Sequence, residues 1–546
     1  MHSVEVVLAM LLAVVASGYF VRMLPFSLPL PIVQIILGTI IAGVFNQGVQ
    51  LDPQIFFLLF LPPLLFLDGW RIPKVDLFRD KMVVMELALG LVVFTVIGAG
   101  FLIHWMIPAM PLPVAFALAA IVSPTDPIAV SAIAARAPIP KRIMHLLEGE
   151  SLLNDASGLV CFRFAVAAAL TGGFSLTSAS LTFLWLAIVG VLVGVGVTLT
   201  VSALHIWLSR HFGEDSGSPI LLSLLIPFGA YMAAEHVEAS GILAAVAAGI
   251  TMSYVELSGR ALAVTRLQRS AVWETIELAL NGIMFVLLGE QLPGILRNAT
   301  TSLEEVGHHN PLWLVAYALA LSLALAGLRF IWVWISLRWS VFIALRRGER
   351  MSRPHWRLVA AISLAGVRGA ITLAGVLTLP LLLPDDSPFP ARDLAIFLAA
   401  AVILISLFAA SLGLPRLLRS LQLPPETEAQ TELVLARRES ARAAVTAIEQ
   451  ARQAIHVDAE ETEIYVNAAA RVIALYQNRL DDDTGGNLDA TRLRRADRAE
   501  VQLRLSGLQA ERNTLYALAR RGIISDQTTR KLVREIDLME SRYRSA

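Results

Sequence analysis

Charged residues and cysteine are scarce in this sequence of 546 residues. Only 16% of the residues are charged and 56% are hydrophobic, whereas a soluble globular protein carries about 25% charged residues. The 44 Lys and Arg residues balance 44 Asp and Glu residues, so no basic excess is available to bind nucleic acid. The single cysteine, Cys161, excludes an intrachain disulfide and a multi-cysteine zinc site. The composition therefore predicts a membrane protein without a nucleic-acid partner.

The sequence also lacks the features of two other kinds of membrane protein. No G-x-x-x-x-G-K-[ST] loop occurs, so an ATP-driven pump would have no phosphate cradle. Ser157 lies in an apolar stretch, as the nucleophile of an intramembrane serine protease would, but no histidine has a comparably polar setting in which to act as its base. We therefore expect neither an enzyme nor a bound cofactor.

Apolar stretches follow one another through residues 1–414, which predicts an all-α, polytopic domain embedded in the lipid bilayer. A helix needs about 20 residues to cross a bilayer. Thirteen stretches are candidate spans: 4–21, 29–45, 53–69, 82–107, 113–135, 145–170, 180–209, 218–235, 239–256, 271–292, 311–338, 357–384 and 392–414.

Lys and Arg concentrate in every second connection, and cytoplasmic loops are the ones that carry such an excess. The connections left for the outside contain little positive charge beyond Arg297 and Arg392. This pattern places the N-terminus outside and the C-terminus in the cytoplasm. The N-terminus lacks the basic region of a signal peptide, so the first span is expected to be retained. Because no long extension precedes it, we expect a bacterial inner membrane.

Residues 415–546 differ in composition and are rich in Arg, Glu, Asp, Gln and Ala. The change comes near "LRSLQLPPETEAQ" (418–430), and residues 431–455 then place apolar side chains at helical spacing among charges. This predicts a helical cytoplasmic tail. It is either a regulatory or oligomerising domain, which could bind an unidentified ligand, or a small bundle that packs on the cytoplasmic face.

Span 5 contains the polar stretch "VSPTDPIAVSAI" (122–133), in which Pro124 and Pro127 flank Thr125 and Asp126. Each proline removes a backbone donor and clashes with the preceding turn, so we expect the helix to break beside a carboxylate. Irregular backbone at membrane depth is tolerated where it is buried or lines a cavity. The break therefore indicates a functional site.

Span 6 contains "EGESLLNDASG" (148–158). At 100° per residue, Ser151 and Asp155 share one face, and Asn154 lies beside it. Glu150 points about 140° away from Asp155, so one acid is free to bind an ion while the other takes a structural partner. Glu148 lies two turns toward the cytoplasmic end, where an entrance funnel is expected.

Span 12 contains "SLAGVRGAITLAG" (363–375), in which glycines loosen the helix around Arg368. A buried arginine requires a partner, and Glu150 is the acid whose geometry leaves it available. Interrupted spans 5 and 12 are typical of transporters built from inverted repeats, in which the two broken helices cross. Asp126 and Arg368 would then offset the dipoles of opposed helix ends. Asp68, at the end of span 3, fits either the ion pathway or the membrane interface.

Together, "SPTDP" (123–127), "EGESLLNDASG" (148–158) and "GVRGAITLA" (366–374) resemble the monovalent cation:proton antiporters of the NhaP and sodium/proton exchanger type. The resemblance implies that Asp155 binds either the cation or protons. It implies a Na⁺ site completed by Ser151 and the backbone of Thr125 and supported by Asp126. It also implies a Glu150–Arg368 pair that holds spans 6 and 12 in register, a pathway position for Asp68, and a homodimer in which a mobile core moves against a dimerisation domain.

These residues predict a mechanism without ATP. A cation and a proton compete for Asp155, and alternating access follows if the core moves only when that charge is neutralised. Asn154 cannot ionise, so one principal group titrates and exchange is expected to be electroneutral, one cation for one proton. Titration of Asp126 in the same cycle would break this count. Potassium and lithium remain alternatives to Na⁺, as does a K⁺-selective antiporter. A cation channel would also use embedded acids, but it would not need two broken spans.

Overall fold

The computed structural model describes most of the chain, and its described residues fall into two compact units, Met1–Leu423 and Pro424–Ala546. Apart from an isolated bridge between Leu382 and Pro388, the regular structure in these residues is helical. The described residues are 2–23, 28–45, 53–71, 85–126, 130, 141–171, 176–213, 217–257, 263–305, 310–346, 356–419, 427–454, 466–474, 503–518, 532–533 and 535–540.

The first unit is a sequence of helices that coincide with the predicted spans. Its first half contains α1 His2–Met23, α2 Leu30–Phe45, α3 Pro53–Arg71, a π-helical turn Glu86–Gly90 that leads into α4 Leu91–Met106, α5 Leu112–Val122, α6 Lys141–Thr171 and α7 Leu176–Phe212. Its second half contains α8 Ser218–His236, α9 Gly241–Leu257, α10 Ala263–Glu305, α11 Leu312–Arg346, α12 Trp356–Leu364, α13 Ala370–Leu377 and α14 Arg392–Arg419.

Length and composition support a membrane domain. Among the described residues, 8 helices are long and apolar enough to cross a bilayer, and Leu30–Val44, Leu112–Val122 and Gly241–Glu256 are shorter apolar helices. The outward faces are apolar too, since α7 exposes Leu184, Trp185 and Leu192. Such a face suits lipid. A polytopic helical fold is confirmed, whereas the count of thirteen spans stays a prediction.

Small residues bring several helices into backbone contact. A Cβ added to Gly38 in α2 would lie 1.9 Å from the carbonyl oxygen of Val286 in α10, and one added to Gly249 in α9 would lie 2.0 Å from that of Phe66 in α3. Close packing through small residues drives helix association in lipid, where the hydrophobic effect between helices is absent. These contacts fix α3 and α10, both of which supply side chains to the site described below.

The two predicted helix breaks meet in the buried core. α5 ends at Val122 and residues 123–126 are not helical, while residues 365–369 separate α12 from α13. The amide of Asp126 donates a hydrogen bond of 2.7 Å to the carbonyl oxygen of Val367. Helix flanks the break in span 12 on both sides, because α12 ends at Leu364 and α13 begins at Ala370. Of the residues after the break in span 5, Pro127 and residues 128–129 and 131–140 lie outside the described set.

The second unit contains α15 Thr427–Ala454 and shorter helical segments within 466–474, 503–518 and 532–540. Arg512 links two of these segments through ion pairs with Asp537, at 2.7 Å, and with Glu540. The hydrogen bond to Glu540 raises the pKa of the Arg512 guanidinium above its already high ordinary value. The predicted domain boundary at residue 414 falls within α14, which continues to Arg419.

Candidate ion-binding site

A small cavity lies where the two breaks meet. Its volume is about 20 Å³, which is room for about one water molecule or one dehydrated cation. α3, the break in span 5, α6, α10 and the start of α13 all contribute to its wall. The lining residues are Leu64, Asp68, Pro124, Thr125, Asp126, Ser151, Asp155, Asn281, Met284, Gly369, Ile371 and Thr372.

Asp155 and Ser151 form the α6 side of this cavity. Asp155 is 4% exposed and Ser151 is 3% exposed. One helical turn separates them, as the sequence predicted. No hydrogen bond or ion pair joins the Asp155 carboxylate to another residue in the described part of the chain. Burying an unpaired carboxylate is costly, so this group requires a proton or a cation as its partner.

Asp126 and Asp68 place two more carboxyl groups on the same cavity. The position of the Asp126 side chain depends on Gly369, because a Cβ there would lie 2.0 Å from Asp126 Oδ2. Gly369 is also the residue that precedes α13, so Asp126 lies at the positive end of that helix dipole. Three carboxyl groups therefore line one cavity, on α3, on α6 and at the break in span 5.

Glu150 has a different partner from the one predicted. Its fully buried carboxylate accepts two hydrogen bonds from Arg329 in α11: 2.5 Å from Nη1 to Oε1 and 2.8 Å from Nη2 to Oε2. Arg329 itself is 2% exposed. The fork-shaped guanidinium matches a carboxylate in this bidentate arrangement. The Arg329 side chain reaches Glu150 across Gly366. A Cβ at Gly366 would lie 2.6 Å from Arg329 Cδ.

The predicted Glu150–Arg368 pair is therefore wrong. Arg368 Nε donates to the carbonyl oxygen of Val122 at 3.0 Å, and its Nη1 donates to that of Gly366 at 2.5 Å. These carbonyls stand at or just past the C-terminal ends of α5 and α12, where carbonyls lack helical partners and a cation is favoured. The prediction that Arg368 offsets a helix-end dipole agrees with these contacts. Arg329 escaped prediction, although a lone arginine in "LAGLRFIWVW" (325–334) signals a buried partner.

Thr125 and Asn154 extend the Glu150 pair toward the break in span 5. Thr125 Oγ1 donates to Glu150 Oε1 at 3.1 Å, and Asn154 Nδ2 donates to Thr125 Oγ1 at 3.1 Å. Because the hydroxyl proton goes to Glu150, the amide must present its NH₂ group to Thr125. Asn154 Oδ1 is buried and has no hydrogen-bond partner among the described residues. Asn154 therefore stands behind the cavity wall, as a fixed and neutral neighbour of Asp155.

The structure thus brings five predicted residues to one cavity: Asp155, Ser151, Thr125, Asp126 and Asp68. Sequence reasoning did not assign Asn281 or Thr372 to the site, because only the tertiary fold brings α10 and α13 to the cavity that α6 lines. The side chain of Glu148 lies outside the described residues. Ser157 donates a hydrogen bond of 2.7 Å to the carbonyl oxygen of Ala88 in the π-helical turn, which ties α6 to that turn.

Known proteins match this chain along most of its length. Residues 8–420 match the family model described as "Sodium/hydrogen exchanger, transmembrane". The chain belongs to this family. It is 40% identical over 541 residues to an uncharacterized Na⁺/H⁺ exchanger of Escherichia coli (strain K12), covering 98% of each chain. It is 39% identical over 550 residues to a sodium, potassium, lithium and rubidium/H⁺ antiporter of Bacillus subtilis (strain 168), covering 98% of this chain and 78% of the relative.

A solved structure supports the same fold. The sodium proton antiporter MjNhaP1 from Methanocaldococcus jannaschii matches with a TM-score of 0.58 at 18% identity, covering 77% of this chain and 99% of that one. The predicted family and the predicted all-α, polytopic fold are confirmed. As a member of the sodium/hydrogen exchanger family, this multi-pass membrane protein is a secondary transporter that exchanges a monovalent cation for a proton.

Proposed function

We propose that this antiporter exchanges one Na⁺ for one proton without net charge movement, with Asp155 as the carboxylate for which both compete. The observation that carries the proposal is the difference between two buried acids on α6. Arg329 neutralises Glu150 through a bidentate pair, whereas no described residue pairs with Asp155. Asp155, and not Glu150, is therefore the carboxylate that is available to bind a proton or a cation.

The oxygen atoms proposed to bind Na⁺ are those near the cavity that do not already hydrogen-bond to another side chain. Asp155 and Ser151 line the cavity from α6. The hydroxyl of Thr125 is bonded to Glu150 and Asn154, so its backbone carbonyl is the Thr125 oxygen left for Na⁺. Asp126 would support the site from the crossed span, and Asp68 would belong to the ion pathway. The cavity's volume suits a cation stripped of most of its water.

The one-for-one count rests on the neighbours of Asp155. Asn154 is an amide, and Glu150 is held by Arg329, so neither offers a second exchangeable proton. If the core moves between inward and outward states only when Asp155 is neutral, each cycle carries one cation in one direction and one proton in the other. This is alternating access. Asp126 and Asp68, which line the same cavity, would have to keep their protonation states throughout the cycle.

The ion could also be K⁺ or Li⁺, since the B. subtilis relative is named for sodium, potassium, lithium and rubidium.

We propose the bacterial inner membrane as the location of the protein, with the N-terminus outside and residues 415–546 in the cytoplasm, on the basis of the Lys and Arg distribution. We also propose a homodimer and a regulatory or oligomerising tail. The apolar outer faces of α1 and α7 leave room for contact with a second copy.

Replacing Asp155 tests the assignment. In proteoliposomes with an imposed pH gradient, we expect Asp155→Asn to abolish Na⁺-driven and K⁺-driven proton movement. It should leave the thermal unfolding temperature of the purified protein within a few degrees of wild type, because the amide is isosteric and has no ion pair to lose. The matched control is Asp386→Asn at an exposed site with φ of 60°, a conformation that Asn adopts readily. Undiminished exchange by Asp155→Asn would refute the role.

A further inference from the structure

Thr372 is a buried polar residue of the ion cavity to which the proposed site gives no role. It lies in the first turn of α13, just after the break in span 12, and it lines the cavity. The residue is only 3% exposed. A hydroxyl buried at this depth costs free energy unless a partner satisfies it. What Thr372 binds is therefore a question about the site itself.

The position of Thr372 in its helix leaves the hydroxyl free. A threonine inside a helix can bond to the carbonyl oxygen four residues earlier, as Thr251 and Thr275 do. For Thr372 that residue is Arg368, which lies in the non-helical break. No hydrogen bond joins the Thr372 hydroxyl to another described residue, and Oγ1 is not among the unbonded atoms that the protein encloses completely. The open space that this buried hydroxyl faces is the cavity.

The size of the cavity makes protein oxygen atoms necessary. A volume of about 20 Å³ admits about one water molecule or one ion, so a cation there has lost most of its water. Hard cations take oxygen ligands, and a hydroxyl offers two lone pairs. Asn281, the other lining residue without a role, is half-buried, and an amide presents either its oxygen or its NH₂ group. Thr372 is therefore the better candidate for a ligand.

We propose that Thr372 Oγ1 is a direct ligand of the transported cation, on the opposite side of the break from Asp155 and Ser151. This inference rests on the proposed function, in which Asp155 binds the cation. A proton forms its bond to one carboxylate oxygen, whereas a cation needs several oxygen atoms at once. Thr372 would therefore contribute to the affinity for the cation and not to the affinity for the proton, and so help to set the balance between the two.

The KM for Na⁺ and for K⁺, measured in proteoliposomes over a range of pH, tests the assignment. Competition at Asp155 makes KM rise as the pH falls and level off at alkaline pH. Thr372→Val removes the oxygen and keeps the shape of the side chain. It should raise the alkaline KM about tenfold, the effect of losing one contact to a charged group. The pH at which KM begins to rise should stay that of the wild type.

Two control variants separate a lost ligand from a disturbed core. Thr372→Ser keeps the hydroxyl and should keep the alkaline KM close to that of the wild type. Thr95→Val changes a threonine that is also 3% exposed but lies in α4 and does not line the cavity, so its KM should be unchanged. Because a bound ion stabilises the folded state, Na⁺ should raise the melting temperature of the wild type and both controls more than that of Thr372→Val.

The failure of this inference and the failure of the proposed function give different results. An alkaline KM for Thr372→Val equal to that of the wild type would overturn the role of Thr372 and leave competition at Asp155 intact. An equal rise in KM for Thr372→Ser or Thr95→Val would overturn it too, because loss of packing would then explain the effect. A wild-type KM that does not change with pH would instead contradict the competition at Asp155.

Discussion

Glu150 and Asp155 lie five residues apart on α6, and only Glu150 has a charged partner among the described residues. Glu150 receives both arms of the Arg329 guanidinium, and Asp155 faces the small cavity without a described partner. Helical periodicity predicts this division, because a separation of five residues turns the two side chains about 140° apart. Periodicity does not identify the arginine, since the choice between Arg329 and Arg368 depends on which of the two side chains the tertiary fold brings to Glu150.

The Glu150–Arg329 pair makes a residue-scale prediction about stability. Arg329→Met should lower the free energy of unfolding by about 3–5 kcal/mol, because it leaves the Glu150 carboxylate buried without a counter-ion. Adding Glu150→Gln should restore part of that loss. The measurement is denaturant or thermal unfolding of the single and double variants in the same detergent.

A parallel cycle with Arg368 serves as the control. Glu150→Gln and Arg329→Met should show a coupling energy at the upper end of the 0.5–3 kcal/mol seen for residues in contact. Glu150→Gln and Arg368→Met should show a smaller one, because the described Arg368 side-chain bonds go to backbone carbonyls. A larger coupling for Glu150 with Arg368 would contradict the pairing in the structure.

At the scale of elements, the two breaks are what opens the helical core to an ion. Proline and glycine in the sequence predict that spans 5 and 12 are interrupted, because both residues weaken the backbone hydrogen-bond ladder of a helix. The sequence does not predict the hydrogen bond between Asp126 and Val367 that joins the breaks. That contact requires two segments about 240 residues apart to cross, and it depends on the whole packing arrangement.

Gly369 provides a prediction for the crossing. Gly369→Ala should lower the exchange rate by about a hundredfold, because its Cβ would displace the Asp126 carboxylate, and a shift of about 1 Å at a preorganised site has an effect of that order. The readout is initial cation-driven proton flux in proteoliposomes at matched protein content.

Gly196→Ala in α7 is the matched control for Gly369→Ala. A Cβ at Gly196 meets nothing within 4 Å, and alanine is the better helix former, so flux should stay at the wild-type level. Equal flux from both variants would mean that close contact between Gly369 and Asp126 is not needed for transport.

At the scale of the whole molecule, hydropathy and charge predict the membrane domain well because the bilayer imposes them directly on the chain. Among the described residues, 8 helices are long and apolar enough to span, α2, α5 and α9 are shorter and span 12 is divided, so the count of thirteen spans stays a prediction. The second unit is less predictable. Its amphipathic helix α15 follows from the pattern of apolar residues, but that pattern does not specify what the apolar face contacts.

The central claim is that one carboxylate, Asp155, couples one cation to one proton. The most direct test reconstitutes the protein in liposomes, imposes a pH gradient and finds the cation gradient at which net flux stops, with the membrane voltage clamped at several values. We predict that this reversal point is the same at every voltage. A reversal point that moves with voltage would contradict the claim, because it would require a second charge in each cycle.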